Sequence, residues 1–169
     1  LTLPFTMIIL LIFGFITQKL LINKIVKAPT FMTLILTFGL EMVLVNAAMV
    51  FWTPNLRSII APYTGVSINL GSAKISIVRL IVFALAIIIT IGLYFFMNKT
   101  KYGKAINATR MDIDAALLNG IDISWVYSFT FGIGAALAGA AGSLMAIILP
   151  FSPTLGALFS TKAFAICIL

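Results

Sequence analysis

Long apolar runs separated by short polar segments set the organisation of this chain. Residues 3–21, 31–52, 77–97 and 124–149 are four such runs, and a fifth opens near residue 159 and continues to residue 169. A helix needs about 20 mostly apolar residues to cross roughly 30 Å of hydrocarbon, and each of the first four is long enough. The apolar positions are continuous rather than alternating, so helices are predicted in preference to barrel strands. The predicted fold class is therefore all-α: one polytopic α-helical transmembrane domain over residues 1–169, with four spanning helices, the start of a fifth, and a short cytoplasmic helix between the third and fourth. The stretch "GVSINLGSAKISI" breaks the pattern, because it alternates in the manner of a β-hairpin.

Composition strengthens this reading. Of the residues, 62% are hydrophobic and 9% are charged, against roughly a quarter charged in a soluble domain. The formal net charge is +7, but the cations gather in "QKLLINKIVK" and "NKTKYGKAINATR" at the edges of apolar runs. That placement predicts a lipid bilayer as the surrounding partner and no nucleic acid. Lys19, Lys24, Lys27, Lys99, Lys101, Lys104 and Arg110 fall on one side of the predicted membrane, whereas Arg57, Lys74 and Arg79 fall on the other. Basic residues in short loops mark the cytoplasmic face. Segment 98–123 is thus predicted to be cytoplasmic and loop 53–76 external, in a multi-pass protein of a bacterial-type cytoplasmic (inner) membrane.

The same composition removes most enzyme chemistry. There is no histidine, so a histidine-dependent triad is excluded. Cys167 is the single cysteine, which rules out an internal disulfide; with few acids besides, neither a metal centre nor a cofactor is expected, and no residue is assigned a catalytic role. The chain opens on Leu1 inside an apolar run and closes on Leu169 inside another, so a fragment of a longer protein is expected.

Two features inside the runs stand out. In "FTFGIGAALAGAAGSLMA", Gly132, Gly134, Gly139 and Gly142 belong to pairs of small residues four apart. Such spacing lets another helix approach closely in lipid, either as a fixed internal contact or as a moving interface along a pathway. Glu41 is the lone acid within a predicted span, with Asn46 five residues on. A carboxylate at membrane depth is costly and faces a partner or a wet cavity; a structural hydrogen bond and a substrate contact both fit, and the two residues do not share one narrow helical face.

The remaining acids, Asp112, Asp114 and Asp122, sit together in "RMDIDAALLNGID" beside Arg110. Asp112 is placed to cap a helix start, and Asp114 falls in the first turn, where the dipole favours negative charge. Gly120 suits the left-handed position just past the end, and Asp122 begins the next helix by the same device as Asp112. Ala115, Ala116 and Asn119 make one part of this short helix flat. Ile113, Leu117 and Ile121 repeat at four-residue spacing as an apolar ridge, suited either to a groove in a partner or to lying on the chain's own membrane domain.

"DAALLNG" resembles the cytoplasmic coupling motif of ABC importer permeases: Glu-Ala-Ala, three residues, then Gly. Here the residues are Asp114, Ala115, Ala116 and Gly120; Asp stands for Glu, and Thr130, Phe131, Gly132 and Ile133 occupy the place of the motif's later Ile-x-Leu-Pro. The wider stretch from "TKYGKAINATR" through the Ala- and Gly-rich helix is similar to the matching region of branched-chain amino acid ABC transporter permeases. "LTFGLEMVLVNAAMVFWTP" and "STKAFAICIL" resemble further segments of that family, in order, with the H-type subunit closer than the M-type. The resemblance implies a transport subunit rather than an enzyme, paired with a second permease subunit. It also implies two cytoplasmic ATP-binding subunits and an extracytoplasmic substrate-binding protein as partners. Arg110, Asp114, Ala115, Ala116, Leu117 and Gly120 would make the ATPase-coupling surface, while Glu41, Asn46, Gly132, Gly134, Gly139 and Gly142 are candidates for translocation or helix packing. The sequence contains no G-x-x-x-x-G-K-[ST] phosphate loop.

Three alternatives remain open on the sequence, of which a non-transporting membrane scaffold would leave Ala115, Ala116 and Gly120 tolerant of bulky residues; the other two are transporters. One is an ABC permease for urea, short amides or sugars. The other is a self-contained secondary transporter or channel, which predicts repeated broken helices and a charged relay in the membrane.

Overall fold

The computed structural model describes residues 2–24, 30–52, 67–70, 73–152 and 155–168. Seven helices and one hairpin are formed among them: α1 (Thr2–Leu20), α2 (Thr30–Trp52), β1 (Ser67–Leu70), β2 (Ala73–Ser76), α3 (Ile77–Lys99), α4 (Lys101–Met111), α5 (Ile113–Leu118), α6 (Ile123–Ile148) and α7 (Leu155–Ile168). A single 3₁₀ turn, Ile22–Lys24, follows α1. The four long apolar runs and the fifth thus become α1, α2, α3, α6 and α7. Helices α1, α3 and α6 are long and apolar enough to cross a membrane, and α2 carries a shorter apolar stretch, Ile35–Phe51. The class is that of a polytopic helical membrane protein. The alternating stretch pairs as an antiparallel hairpin, with Ser67 opposite Ser76 and Leu70 opposite Ala73. Lys27, Arg57 and most of the predicted external loop lie outside the described residues.

Nearly all tight tertiary packing lies between α1 and α6, which run antiparallel. Leu10 meets Gly139, Gly14 meets Gly132 and Ala135, and Asn23 meets Ser124. The approach is close to backbone contact: a Cβ added at Gly14 would lie 2.7 Å from Ala135 Cβ and 3.2 Å from Gly132 Cα, and one added at Gly132 would lie 3.0 Å from the Leu11 carbonyl oxygen. In lipid the hydrophobic effect does not distinguish a helix from its surroundings, so close van der Waals packing of this kind is what holds two spans together. Along α6 the buried stripe is Ser128, Gly132, Ala136, Ala140 and Leu144, one residue every four, as a helix facing one partner requires.

The small residues of α6 therefore divide. Gly132 and Gly139 pack on α1, whereas a Cβ added at Gly134 or Gly142 would meet nothing within 4 Å. Gly134 instead lines an open groove of about 580 Å³ with Gln18, Tyr127, Thr130 and Phe131.

Large apolar side chains of α1, among them Phe5, Ile8 and Ile12, point outward, and α3 buries none of its residues. Such a surface requires lipid or further protein around it. Hydroxyls within the spans bond back to their own helices, as Thr17 does to the Phe13 carbonyl (2.8 Å), Thr90 to Ala86 (2.9 Å) and Thr130 to Val126 (2.8 Å). That satisfies them where water is absent.

The packing makes a graded expectation. Gly132→Leu and Gly14→Leu force side chains into occupied backbone space and should cost about 1–3 kcal/mol each. Gly142→Ala enters open space and should change stability by no more than about 0.5 kcal/mol. Thermal unfolding of the detergent-solubilised protein separates the two classes.

Candidate functional site

The segment between α3 and α6 is built from two elbows, each a single extended residue that caps helices on both sides. At the first, Thr100 (φ −92°, ψ 155°) ends α3 through its N–H to the Phe96 carbonyl. Its Oγ1 donates to the same carbonyl at 2.7 Å and accepts from the Gly103 N–H at 3.0 Å, opening α4. The turn is so tight that a Cβ on Gly103 would stand 2.5 Å from both Met97 Cα and the Phe96 oxygen. Only glycine fits, because the backbone of the previous helix fills the space.

The second elbow is Asp112 (φ −156°, ψ 113°). Its N–H closes α4 on the Ala108 carbonyl, while its carboxylate accepts from the N–H groups of Asp114 (2.9 Å) and Ala115 (3.1 Å). The short α5 then ends in a complete Schellman turn. Gly120 takes φ +75°, its N–H donates to the Leu117 carbonyl at 2.9 Å, and the Ile121 N–H donates to the Ala116 carbonyl at 3.1 Å. Asn119 Nδ2 donates to the Ala115 carbonyl at 2.7 Å. Asp122 opens α6 by accepting from Ser124 (2.9 Å) and Trp125 (3.2 Å). The capping roles expected for Asp112 and Asp122, and the left-handed glycine, are all present, with Asp114 in the first turn of α5.

The basic stretch before Asp112 is itself a helix, α4, where the sequence predicts only a cytoplasmic segment. Its signal is the spacing of Gly103, Ile106 and Thr109, the three residues it buries, one turn apart, with Lys101, Lys104 and Arg110 between and beyond them. Lys101, Lys104 and Arg110 project from the other faces and are exposed. Arg110 lies in the last turn, where the helix dipole favours a cation.

An aromatic cluster ties these pieces together. Trp125 and Phe129 of α6 stack with centroids 4.8 Å apart and planes 12° apart. Tyr102 of α4 packs on both, at 5.3 and 5.6 Å, and Phe96 of α3 reaches Phe129 at 6.2 Å. Sequence reasoning missed this cluster; Trp125 and Phe129 are four apart and share a face, but nothing in the sequence places Tyr102 against them. On the far side of α6, Asn23 Nδ2 donates to Ser124 Oγ (2.7 Å) and Ser128 Oγ (3.3 Å), and Gln18 Nε2 reaches Asn23 Oδ1 at 3.4 Å. The start of α6 is therefore gripped by α3 and α4 through aromatic rings and by the 3₁₀ turn after α1 through the Asn23 amide.

What α5 leaves uncovered differs from the predicted ridge. Ala116 is buried, so the predicted flat surface keeps only Ala115 and Asn119 exposed. Ile121 is half-buried, because the Schellman turn ends the helix at Leu118 and the four-residue repeat cannot continue through it. The exposed apolar edge is Met111 (89%) and Leu118 (90%), with Leu117 and Ile113 about half exposed. Arg110, Asp114, Ala115, Leu117 and Gly120 lie on the outer part of this unit; Ala116 is its inner contact.

Glu41 and Asn46 lie apart from this unit. Glu41 is midway along α2, and both line a cleft of about 450 Å³ with Phe38 and Met42 of their own helix and Ser160 and Thr161 of α7.

Apolar spans, a basic edge and an elbowed unit of short helices together define a multi-pass membrane protein with a structured segment at one face. Over residues 1–169 the chain matches the family described as branched-chain amino acid transport system / permease component, and it belongs to that family. It is 25% identical over 162 residues to the Pseudomonas aeruginosa "High-affinity branched-chain amino acid transport system permease protein BraD", covering 93% of this chain and 53% of the relative. It is 35% identical over 79 residues to the Methanocaldococcus jannaschii "Probable branched-chain amino acid transport permease protein LivH" (47% of this chain, 25% of the relative). To the Escherichia coli K12 "High-affinity branched-chain amino acid transport system permease protein LivH" it is 30% identical over 99 residues (58% and 32%). The chain thus spans about half the length of the first relative and less of the others. No solved structure matches it significantly.

The caps generate a local prediction. Asp112→Ala should cost about 1 kcal/mol by removing the oxygen that two N–H groups of α5 share. Gly120→Ala should cost about 1–2 kcal/mol by placing a Cβ in the left-handed region. Amide exchange across residues 114–121 should accelerate in both variants, while that of the α6 centre stays at its original rate.

Proposed function

We propose that this chain is a membrane-spanning permease subunit of an ABC importer for branched-chain or related amino acids in a bacterial-type cytoplasmic membrane. It pairs with a second permease subunit. Two cytoplasmic ATP-binding subunits dock below, and an extracytoplasmic binding protein delivers the substrate. The chain catalyses no reaction of its own; ATP hydrolysis belongs to the docked subunits. The names of its relatives support the substrate class over urea, amides or sugars.

The observation that carries the coupling role is the apolar edge of α5. Met111, the last residue of α4, and Leu118, the last of the six-residue α5, stand almost wholly exposed at the two ends of a helix that Asp112 and Gly120 lock in place. Exposed apolar groups on a polar, basic face fit a groove in a partner, where a short helix can bury them. Arg110, Asp114, Ala115 and Leu117 flank that edge, and Ala116 seats α5 on the rest of the chain.

Displacement of α5 would be carried by its stiff elbows to the aromatic cluster, and by Trp125 and Phe129 to the start of α6. From α6 it would pass to α1 through the Gly14–Gly132 contact. ATP binding and hydrolysis would thereby shift the membrane helices between outward- and inward-facing states.

Gly120→Arg should leave the protein inserted but abolish association with the ATPase subunits and uptake. Leu118→Asp should weaken association by about tenfold or more, as loss of a buried apolar anchor does. Co-purification of the ATPases together with radiolabelled amino acid uptake is the measurement; retained ATPase binding with normal uptake in both variants refutes the coupling role.

A further inference from the structure

The coupling role uses neither Glu41 nor the cleft in which it lies. Glu41 sits midway along α2, where an uncompensated carboxylate costs about 2.5–3.5 kcal/mol if the helix is centred in the bilayer. Among the described residues no ion pair engages it. Lys162, the basic residue of α7, lies over the Phe159 ring at 5.9 Å.

The chemistry around Glu41 is mixed rather than merely apolar. Asn46 Nδ2 donates to the Met42 carbonyl at 2.7 Å, which orients the amide and leaves its Oδ1 as an acceptor. Ser160 and Thr161 bring hydroxyls from α7, and Phe38 and Met42 supply apolar walls. The cleft volume of about 450 Å³ falls within the roughly 300–1,000 Å³ of small-molecule sites. One anion and one amide oxygen on an apolar floor, with hydroxyls opposite, match a ligand with an ammonium group and an aliphatic body.

We propose that the α2–α7 cleft is a substrate subsite on the transport path, in which Glu41 holds the ammonium group of an aliphatic amino acid and Asn46 lines the same cleft further along α2. The assignment rests on the import reading above and adds to it a binding position inside the membrane domain. In each cycle the ammonium group of the cargo pairs with the Glu41 carboxylate at depth.

The test uses the full transporter in proteoliposomes, with this subunit, its permease partner, the ATPases and the binding protein, and L-leucine as probe. Glu41→Gln should lower leucine uptake about 10- to 100-fold, the value of a hydrogen bond to a charged group, while binding-protein-stimulated ATP hydrolysis stays near the wild-type rate. Glu41→Asp should restore part of the uptake. In a Cys167→Ser background, leucine should slow maleimide labelling of Met42→Cys, and that protection should vanish when Glu41→Gln is added.

Unchanged uptake in Glu41→Gln overturns the site, as does absence of leucine protection at Met42→Cys with Glu41 intact, a measurement that stands even if the Glu41 variants fail to accumulate. Parallel loss of uptake and hydrolysis in both Glu41 variants marks a structural carboxylate and also overturns it. A wild-type transporter that hydrolyses ATP but moves no leucine refutes the import reading itself.

Discussion

The near-contact of two backbones at Gly14 and Gly132 is the constraint on which the rest of the described structure depends, since it alone joins two spans over their length. Within a bilayer, burying leucine against leucine gains little, because the lipid is equally apolar. Removing side chains at the contact lets two helices share many short van der Waals contacts instead, and the stripe from Ser128 to Leu144 on α6 is built for this. Once α6 is held against α1, its first turn is fixed in space. Everything at the basic face is then positioned relative to that turn.

Stiffness at the basic face comes from polar chemistry, not from apolar packing alone. Thr100 and Asp112 each break the chain between two helices at a single extended residue by satisfying the helix that ends and the helix that begins. Free helix ends would leave N–H and C=O groups to water and allow fraying. Capped ends make α4 and α5 locally stiff. The aromatic cluster packs α4 on the span α6, and the Asn23–Ser124 hydrogen bond holds the same turn as well. A force applied to α5 therefore meets a connected path of rings and capped helices that leads into the membrane domain.

Much of the elbowed unit between α3 and α6 was legible in the sequence because capping is local. The oxygen of Asp112 and the donors it satisfies lie within three residues, and the left-handed conformation of Gly120 follows from the turn it closes. The apolar edge was less legible. The repeat Ile113, Leu117, Ile121 assumed a helix continuing past Asn119, while the Schellman turn folds Ile121 back and leaves Met111 and Leu118 outermost. Helix α4 was hidden for a related reason: of the three residues it buries, Gly103, Ile106 and Thr109, just one is a large apolar residue, so no apolar stripe marks it.

By itself, the sequence determined where the apolar runs lie, which edge is basic, and how each short helix begins and ends, because hydrophobicity, charge and capping act over one turn or one run. Only the tertiary structure decided which glycines of α6 are contacts and which are open, since Gly132 and Gly134 have the same local chemistry and differ only in whether α1 lies against them. It alone brought Tyr102 onto Trp125, and Ser160 to the cleft of Glu41 across more than a hundred residues of chain. Those pairings arise from the directions in which whole helices pack, and such directions are set by the sum of contacts along both surfaces, which no single stretch of sequence contains.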